Sequence, residues 1–129
     1  MARNLLKAGH AVTVWNRTGS KCDALVGEGA ERGGSPAAVV GACDVIFAML
    51  SDPAACRATV FGAEGVLAGL ESAGGKGKGY VDMSTVDAET STAISTAVTA
   101  AGGRFLEAPV SGSKGPAIDG SLVIMAAGD

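Results

Sequence analysis

A chain of 129 residues with 47% hydrophobic, 18% charged and 4% aromatic residues fits one domain with a core of its own and excludes a disordered segment. A net charge of -3 leaves no basic footprint for nucleic acid, and no apolar run approaches the ~20 residues of a membrane-spanning helix. The three cysteines, Cys22, Cys43 and Cys56, are odd in number and lack metal-ligand spacing. They are expected as reduced, mostly buried small apolar residues of an intracellular protein.

In chain order, Met1 to Gly9 places Ala2, Leu5 and Leu6 on one helical face and ends at glycine. No capping residue precedes it, so it reads as a helix without its beginning. Ala11-Val12-Thr13-Val14-Trp15 is a β-branched strand, and Asn16 to Ser20 a turn whose Ser20 is expected to cap a helix over 21–26. Ser35-Pro36 pairs an N-cap with an N1 proline and opens a short helix to Gly41. Cys43 to Leu50 is a nearly continuous apolar run, expected as a strand buried on both faces. Asp52-Pro53 opens a helix to Phe61, with another short helix near Leu70. Ser72 to Gly79 holds too much glycine for regular structure and reads as a loop. Tyr80 to Met83 is a strand, Asp87 to Ala101 a helix, and Arg104 to Glu107 a strand. Pro109 to Gly120 reads as a glycine-rich loop and Leu122 to Ala126 as a last strand.

Strands alternating with helices predict an α/β domain with a doubly wound, mainly parallel sheet of the Rossmann type. Such a domain ordinarily begins with a strand and a glycine turn, and these are expected to be missing here, leaving unpaired strand edges. The chain is accordingly read as 1–129 of something longer, truncated at both ends.

In this architecture ligands bind outside the carboxyl ends of the strands. Four such places carry polar groups. After the first strand come Asn16, Arg17 and Thr18, an amide, a guanidinium and a hydroxyl. An acidic residue there would accept from ribose hydroxyls, whereas an arginine suits a 2′-phosphate, so the set points to NADP over NAD. Arg17 as a solvated turn residue is the plain alternative. Met49-Leu50-Ser51-Asp52 ends the second apolar strand and either packs along a cofactor or is core plus N-cap. Ser84 and Thr85 end the next strand and either bond a nicotinamide nucleotide or cap the following helix. Ser111-Gly112-Ser113 presents amides and hydroxyls without bulk, a cradle for a small carboxylate, or else a flexible loop. His10 stands at a helix end and reads as stabilising that terminus. Asp82 and Asp87 read as structural or capping residues rather than an acid/base pair. No metal-ligand cluster and no Ser/His/Asp set can be assembled.

The order of these motifs resembles the β-hydroxyacid dehydrogenase family, which includes 3-hydroxyisobutyrate and 6-phosphogluconate dehydrogenases. The resemblance is carried by Asn4 to His10, Val14 to Thr18, Ala48 to Pro53, Tyr80 to Val86 and Glu107 to Lys114. Within the family, the wording Trp-Asn-Arg-Thr, Ser-Thr-Val-Asp and Pro-Val-Ser-Gly-Ser-Lys most resembles the plant and algal glyoxylate/succinic semialdehyde reductases. The resemblance implies that Asn16, Arg17 and Thr18 hold the 2′-phosphate of NADP(H), and that Met49, Leu50 and Thr85 line the cofactor. It implies that Ser111, Gly112 and Ser113 bind the carboxylate of a small aldehyde acid. It also implies a homo-oligomer in the cytoplasm or plastid, with an all-helical second domain. The general-acid lysine is expected beyond Asp129, so no catalytic residue is assigned within this stretch. A non-catalytic nucleotide-binding module and an NAD-dependent 3-hydroxyisobutyrate-type dehydrogenase are the alternatives.

Overall fold

The computed structural model describes residues 1–128. Helix α1 (Ala2–Lys7) leads to strand β1 (Thr13–Val14), a 3-10 turn (Gly19–Cys22), α2 (Asp23–Gly27) and β2 (Glu31–Arg32). Then come α3 (Pro36–Ala42), β3 (Val45–Ala48), α4 (Pro53–Phe61), α5 (Val66–Ser72), β4 (Gly79–Asp82) and α6 (Ala88–Ala100). The last third holds β5 (Arg104–Glu107), β6 (Val110–Ser111), α7 (Lys114–Asp119), β7 (Val123–Ile124) and β8 (Ala127–Gly128).

Strands β3, β4 and β5 run parallel, and β8 adds antiparallel to β5. Strands β1 and β2 pair parallel to each other, and β6 pairs antiparallel with β7 across the intervening α7. Among the described residues β1 and β3 therefore each have one unpaired edge. Helix α3 touches both strands and bridges the two sheets. The architecture is the expected mainly parallel α/β domain.

The helix starts follow from local chemistry. Ser35 accepts from the Ala38 amide at 3.1 Å, Asp52 from Ala55 at 2.8 Å and Asp87 from Thr90 at 2.8 Å. Each satisfies a first-turn donor that has no intrahelical partner. Proline follows the cap in α3 and α4, where its missing N–H costs nothing. The expectation for Ser20 is corrected. It lies inside the 3-10 turn, α2 begins at Asp23, and no side chain caps either segment.

The core lies on one face of the four-stranded sheet. Val40, Val60, Leu70, Ile94 and Val98 from α3 to α6 pack with Ile46 and Tyr80 of β3 and β4. The Tyr80 ring stacks on Phe105 of the neighbouring strand, centroids 6.2 Å apart. Strand β3 corrects the expectation of two buried faces. Ile46 and Ala48 are buried, but Val45 and Phe47 on the opposite side of the pleat are 49% and 53% exposed. Successive residues of a strand alternate faces, so an apolar run becomes doubly buried only where a layer covers each side.

Pro109 to Gly120 is likewise not a loop: it contains β6 and α7. The stretch expected as one strand, Leu122 to Ala126, supplies only β7, and β8 follows in a different sheet. No helix among the described residues is long and apolar enough to cross a membrane.

Candidate functional site

The parallel strands bring their carboxyl ends to one rim. Register pairs Ala48 with Asp82 and Asp82 with Glu107, so β3, β4 and β5 finish level. Backbone bonds extend this beyond the strands, Met83 N donating to Ala48 O at 2.8 Å and Ala108 N to Asp82 O at 2.7 Å. Ser84 is turned inward and buried. Its Oγ accepts from the Leu50 amide at 2.9 Å, and its own amide donates to Asp82 Oδ1 at 2.9 Å. It locks the ends of β3 and β4 together and does not cap α6, whose cap is Asp87. Asp82 is thus structural and Asp87 a cap, as the sequence suggests.

Burial pushes the Tyr80 phenol far above its ordinary value, with Asp82 adding to the shift. Burial likewise raises the Cys56 thiol. Neither is poised to ionise near neutral pH. All three cysteines are free, with Cys22 and Cys56 buried and Cys43 partly so.

A hollow of about 240 Å3 lies at the end of β1. Trp15, Asn16, Arg17, Gly19, Arg32 and Gly33 form most of its wall. Asn16 and Arg17, expected from sequence to hold a phosphate, are both there. Thr18 sits in the same turn, where its amide donates to Asn16 Oδ1 at 2.9 Å. The sequence reading missed Arg32 and the Gly33-Gly34 backbone. Strand β2 consists of Glu31 and Arg32, both exposed, and so lacks the apolar signature of a strand. Gly33 is tied to β1 through its amide, which donates to Val14 O at 2.9 Å.

The Asp52 carboxyl lies below its ordinary range, chiefly because the Ala55 amide and then the Ser51 hydroxyl bond it, with Arg17 adding a long-range pull. Asp87 is lowered in the same way by the Thr90 amide and hydroxyl, with Arg57 adding to it. Depressed folded-state values stabilise the fold above the unfolded carboxylate value of about 3.9 and lose that contribution as pH falls through the lower folded value. Thermal melts of the protein and its Asp87→Asn variant are therefore expected to differ at pH 7 and to converge as pH falls below about 4. A constant difference across that range would sink the assignment.

The other expected residues are placed as follows. Met49, 50% exposed, and the exposed Thr85 follow β3 and β4 on the rim, whereas Leu50 is partly buried against the core. Ser111 ends β6, Gly112 turns the chain, and Ser113 precedes α7, all three exposed. Gly112 has φ +133°, and a Cβ there would stand 2.7 Å from the Leu122 side chain, so only glycine fits. Among the described residues no group of three or more His, Cys, Asp or Glu is placed to hold a metal.

Comparisons with known proteins place these features in context. Residues 1–129 match the model of the NAD binding domain of 6-phosphogluconate dehydrogenase. Glyoxylate/succinic semialdehyde reductase 1 of Arabidopsis thaliana is 59% identical over 129 residues, 100% of this chain and 43% of the reductase. Cytokine-like nuclear factor N-PAC of Danio rerio is 58% identical over 126 residues, 98% of this chain and 26% of that protein. Among solved structures, Psf3 in complex with NADP+ and 2-OPP superposes with a TM-score of 0.90 at 29% identity, over 99% of this chain and 44% of that one. The chain thus spans less than half the length of each of these relatives.

Proposed function

The chain belongs to the family of the NAD binding domain of 6-phosphogluconate dehydrogenase, and from that premise we propose that its rim binds NADP(H) and that the whole protein reduces small aldehyde acids. Glyoxylate would give glycolate, and succinic semialdehyde 4-hydroxybutyrate. The observation that carries the cofactor choice is the hollow at the end of β1. It presents Arg17 and Asn16 with no Asp or Glu on its wall. A ribose 2′-phosphate meets a cation and an amide there, whereas an unmodified ribose lacks its usual carboxylate partner.

In this reading Asn16, Arg17 and Thr18 hold the 2′-phosphate. Met49, Leu50 and Thr85 line the cofactor, with Thr85 toward the nicotinamide. Ser111, Gly112 and Ser113 take the substrate carboxylate through backbone amides and hydroxyls. When bound, the cofactor supplies the hydride. The chain's own residues bind and orient. The proton donor is not assigned within 1–129: Lys78 Nζ is occupied by Cys43 O at 2.8 Å and by Asp44, and exposed Lys114 starts α7 beside the carboxylate cradle. The 59% identity to a plant reductase of these two substrates supports the substrate class.

The test is NADPH oxidation by the whole protein with glyoxylate and with succinic semialdehyde. No turnover with either, or turnover with NADH alone, would overturn the proposal. A second reading, a nucleotide-binding module without catalysis, is favoured by the nearly equal 58% identity to a nuclear factor. Tight NADPH binding without oxidation in the presence of either aldehyde acid would favour it. An NAD-dependent 3-hydroxyisobutyrate-type dehydrogenase would instead show itself in a cofactor titration.

A further inference from the structure

A second arginine, Arg32, stands on the wall of the hollow, and its guanidinium is bonded to groups of the protein itself. Arg32 ends β2, and its guanidinium forks back over the 3-10 turn: one terminal nitrogen donates to the Gly19 carbonyl and the other to the Asp23 carboxylate. Gly19 opens the 3-10 turn and Asp23 opens α2, so the fork ties the end of β2 to the two segments that directly follow Asn16, Arg17 and Thr18. Arg17 makes no ion pair among the described residues. The two arginines therefore divide their work, one committed to protein partners and the other available to a ligand.

From this geometry we infer that Arg32 is a positioning residue that sets the preference for a 2′-phosphorylated nucleotide without touching the phosphate, an inference that rests on the NADP reading above. The turn of residues 16–18 has little else to hold it. Within it the Thr18 amide bonds Asn16 Oδ1, and behind it the Lys21 amide bonds Thr18 O at 3.0 Å. Neither bond reaches another strand. The Arg32 fork does, and β2 is itself anchored to β1 by its backbone pairing. A planar guanidinium with two parallel donors fixes both distance and direction, which a lysine ammonium cannot do. Side-chain exposures of 41% for Arg32 and 67% for Asp23 place the pair in solvent, where an ion pair adds little to global stability. Its effect is local to the turn.

The probes are 2′,5′-ADP and 5′-AMP, which differ by the 2′-phosphate alone, titrated onto the whole protein and its variants. Equal affinity of the unaltered protein for the two probes would defeat the NADP reading itself, and the inference with it. Given a preference for 2′,5′-ADP, Arg32→Leu is expected to weaken that probe about tenfold, with 5′-AMP changed by less than about twofold. Arg32→Lys keeps the charge and loses the fork, and is expected to lose most of the same preference. A ratio of affinities unchanged in Arg32→Leu, or an equal loss for both probes, would overturn the inference as a merely structural effect. Full retention in Arg32→Lys would overturn it too, because charge alone would then suffice. Should Arg32→Leu fail to fold, Asp23→Asn removes one anchor of the fork and must shift the ratio in the same direction, or the inference falls.

Discussion

Replacing Arg17 by leucine is expected to weaken NADPH binding about 100-fold, roughly 2.7 kcal/mol, and to leave NADH binding nearly unchanged. Arg17 lies on the wall of the hollow beside Asn16, with no carboxylate on that wall to pair with it. A guanidinium can meet a phosphate dianion through two parallel charge-assisted bonds, each about twice as strong as a neutral one. Leucine keeps most of the side-chain bulk and removes all the donors, so the loss falls on the 2′-phosphate alone. Titration of both cofactors by fluorescence gives the ratio directly. A leucine variant that weakens both cofactors equally would mean that Arg17 shapes the turn rather than holding the phosphate. Because the site is open to solvent, the NADPH advantage of the unaltered protein is also expected to shrink as salt rises from 0.05 to 0.5 M, concentrations spanning Debye lengths of about 14 to 4 Å.

A large loss of stability is expected on filling Gly69, on the face of α5 that meets α3. Gly69 is buried, and a Cβ placed on it would lie 2.8 Å from the Val40 Cβ and 2.9 Å from both the Cα and the carbonyl oxygen of Ala37. Two of those three atoms belong to backbone and cannot step aside as a side-chain tip would. The helices would have to separate, and Val40 and Leu70, the fully buried neighbours at that contact, would lose packing. Gly69→Val is therefore expected to cost about 3 kcal/mol and to lower Tm by roughly 10 °C. The control is Gly41→Ala in α3, where a Cβ meets nothing within 4 Å. There the change is expected to be neutral or to stabilise by about 0.5 kcal/mol through the intrinsic helix preference of alanine. If the two variants melt together, the close contact of α3 and α5 is not a feature of the protein in solution.

What was legible in the sequence is what local chemistry decides. Ser35-Pro36, Asp52-Pro53 and Asp87 announce their helices because a capping side chain, and in two cases an N1 proline, act within four residues of the site they satisfy. The apolar run at β3 and the short pairs Tyr80-Val81 of β4 and Phe105-Leu106 of β5 could be read as well, since strands favour β-branched and aromatic residues. Their alternation with helices was enough for the fold class. Asn16 and Arg17 could be placed at a strand end for the same reason: where a parallel strand stops, a ligand site can begin.

Tertiary structure decided the rest. Strand β2 is two exposed polar residues that exist as a strand only through backbone pairing with β1, so no periodicity could announce it or bring Arg32 to the hollow. Ser84 and Thr85 are neighbours of similar chemistry, yet one is buried on the Leu50 amide and the other stays exposed. That choice depends on where the end of β3 lies, 34 residues earlier in the chain. Residues 109–128 divide into two short antiparallel strands, a helix of about one and a half turns between them and a strand on β5, where composition suggested a loop and one strand. Glycine permits all of these conformations, and only contacts such as Gly112 against Leu122 select among them. Caps and apolar runs could be read because their partners are close in sequence or general in kind. The two-arginine hollow could not, because its partners meet only once the chain has folded.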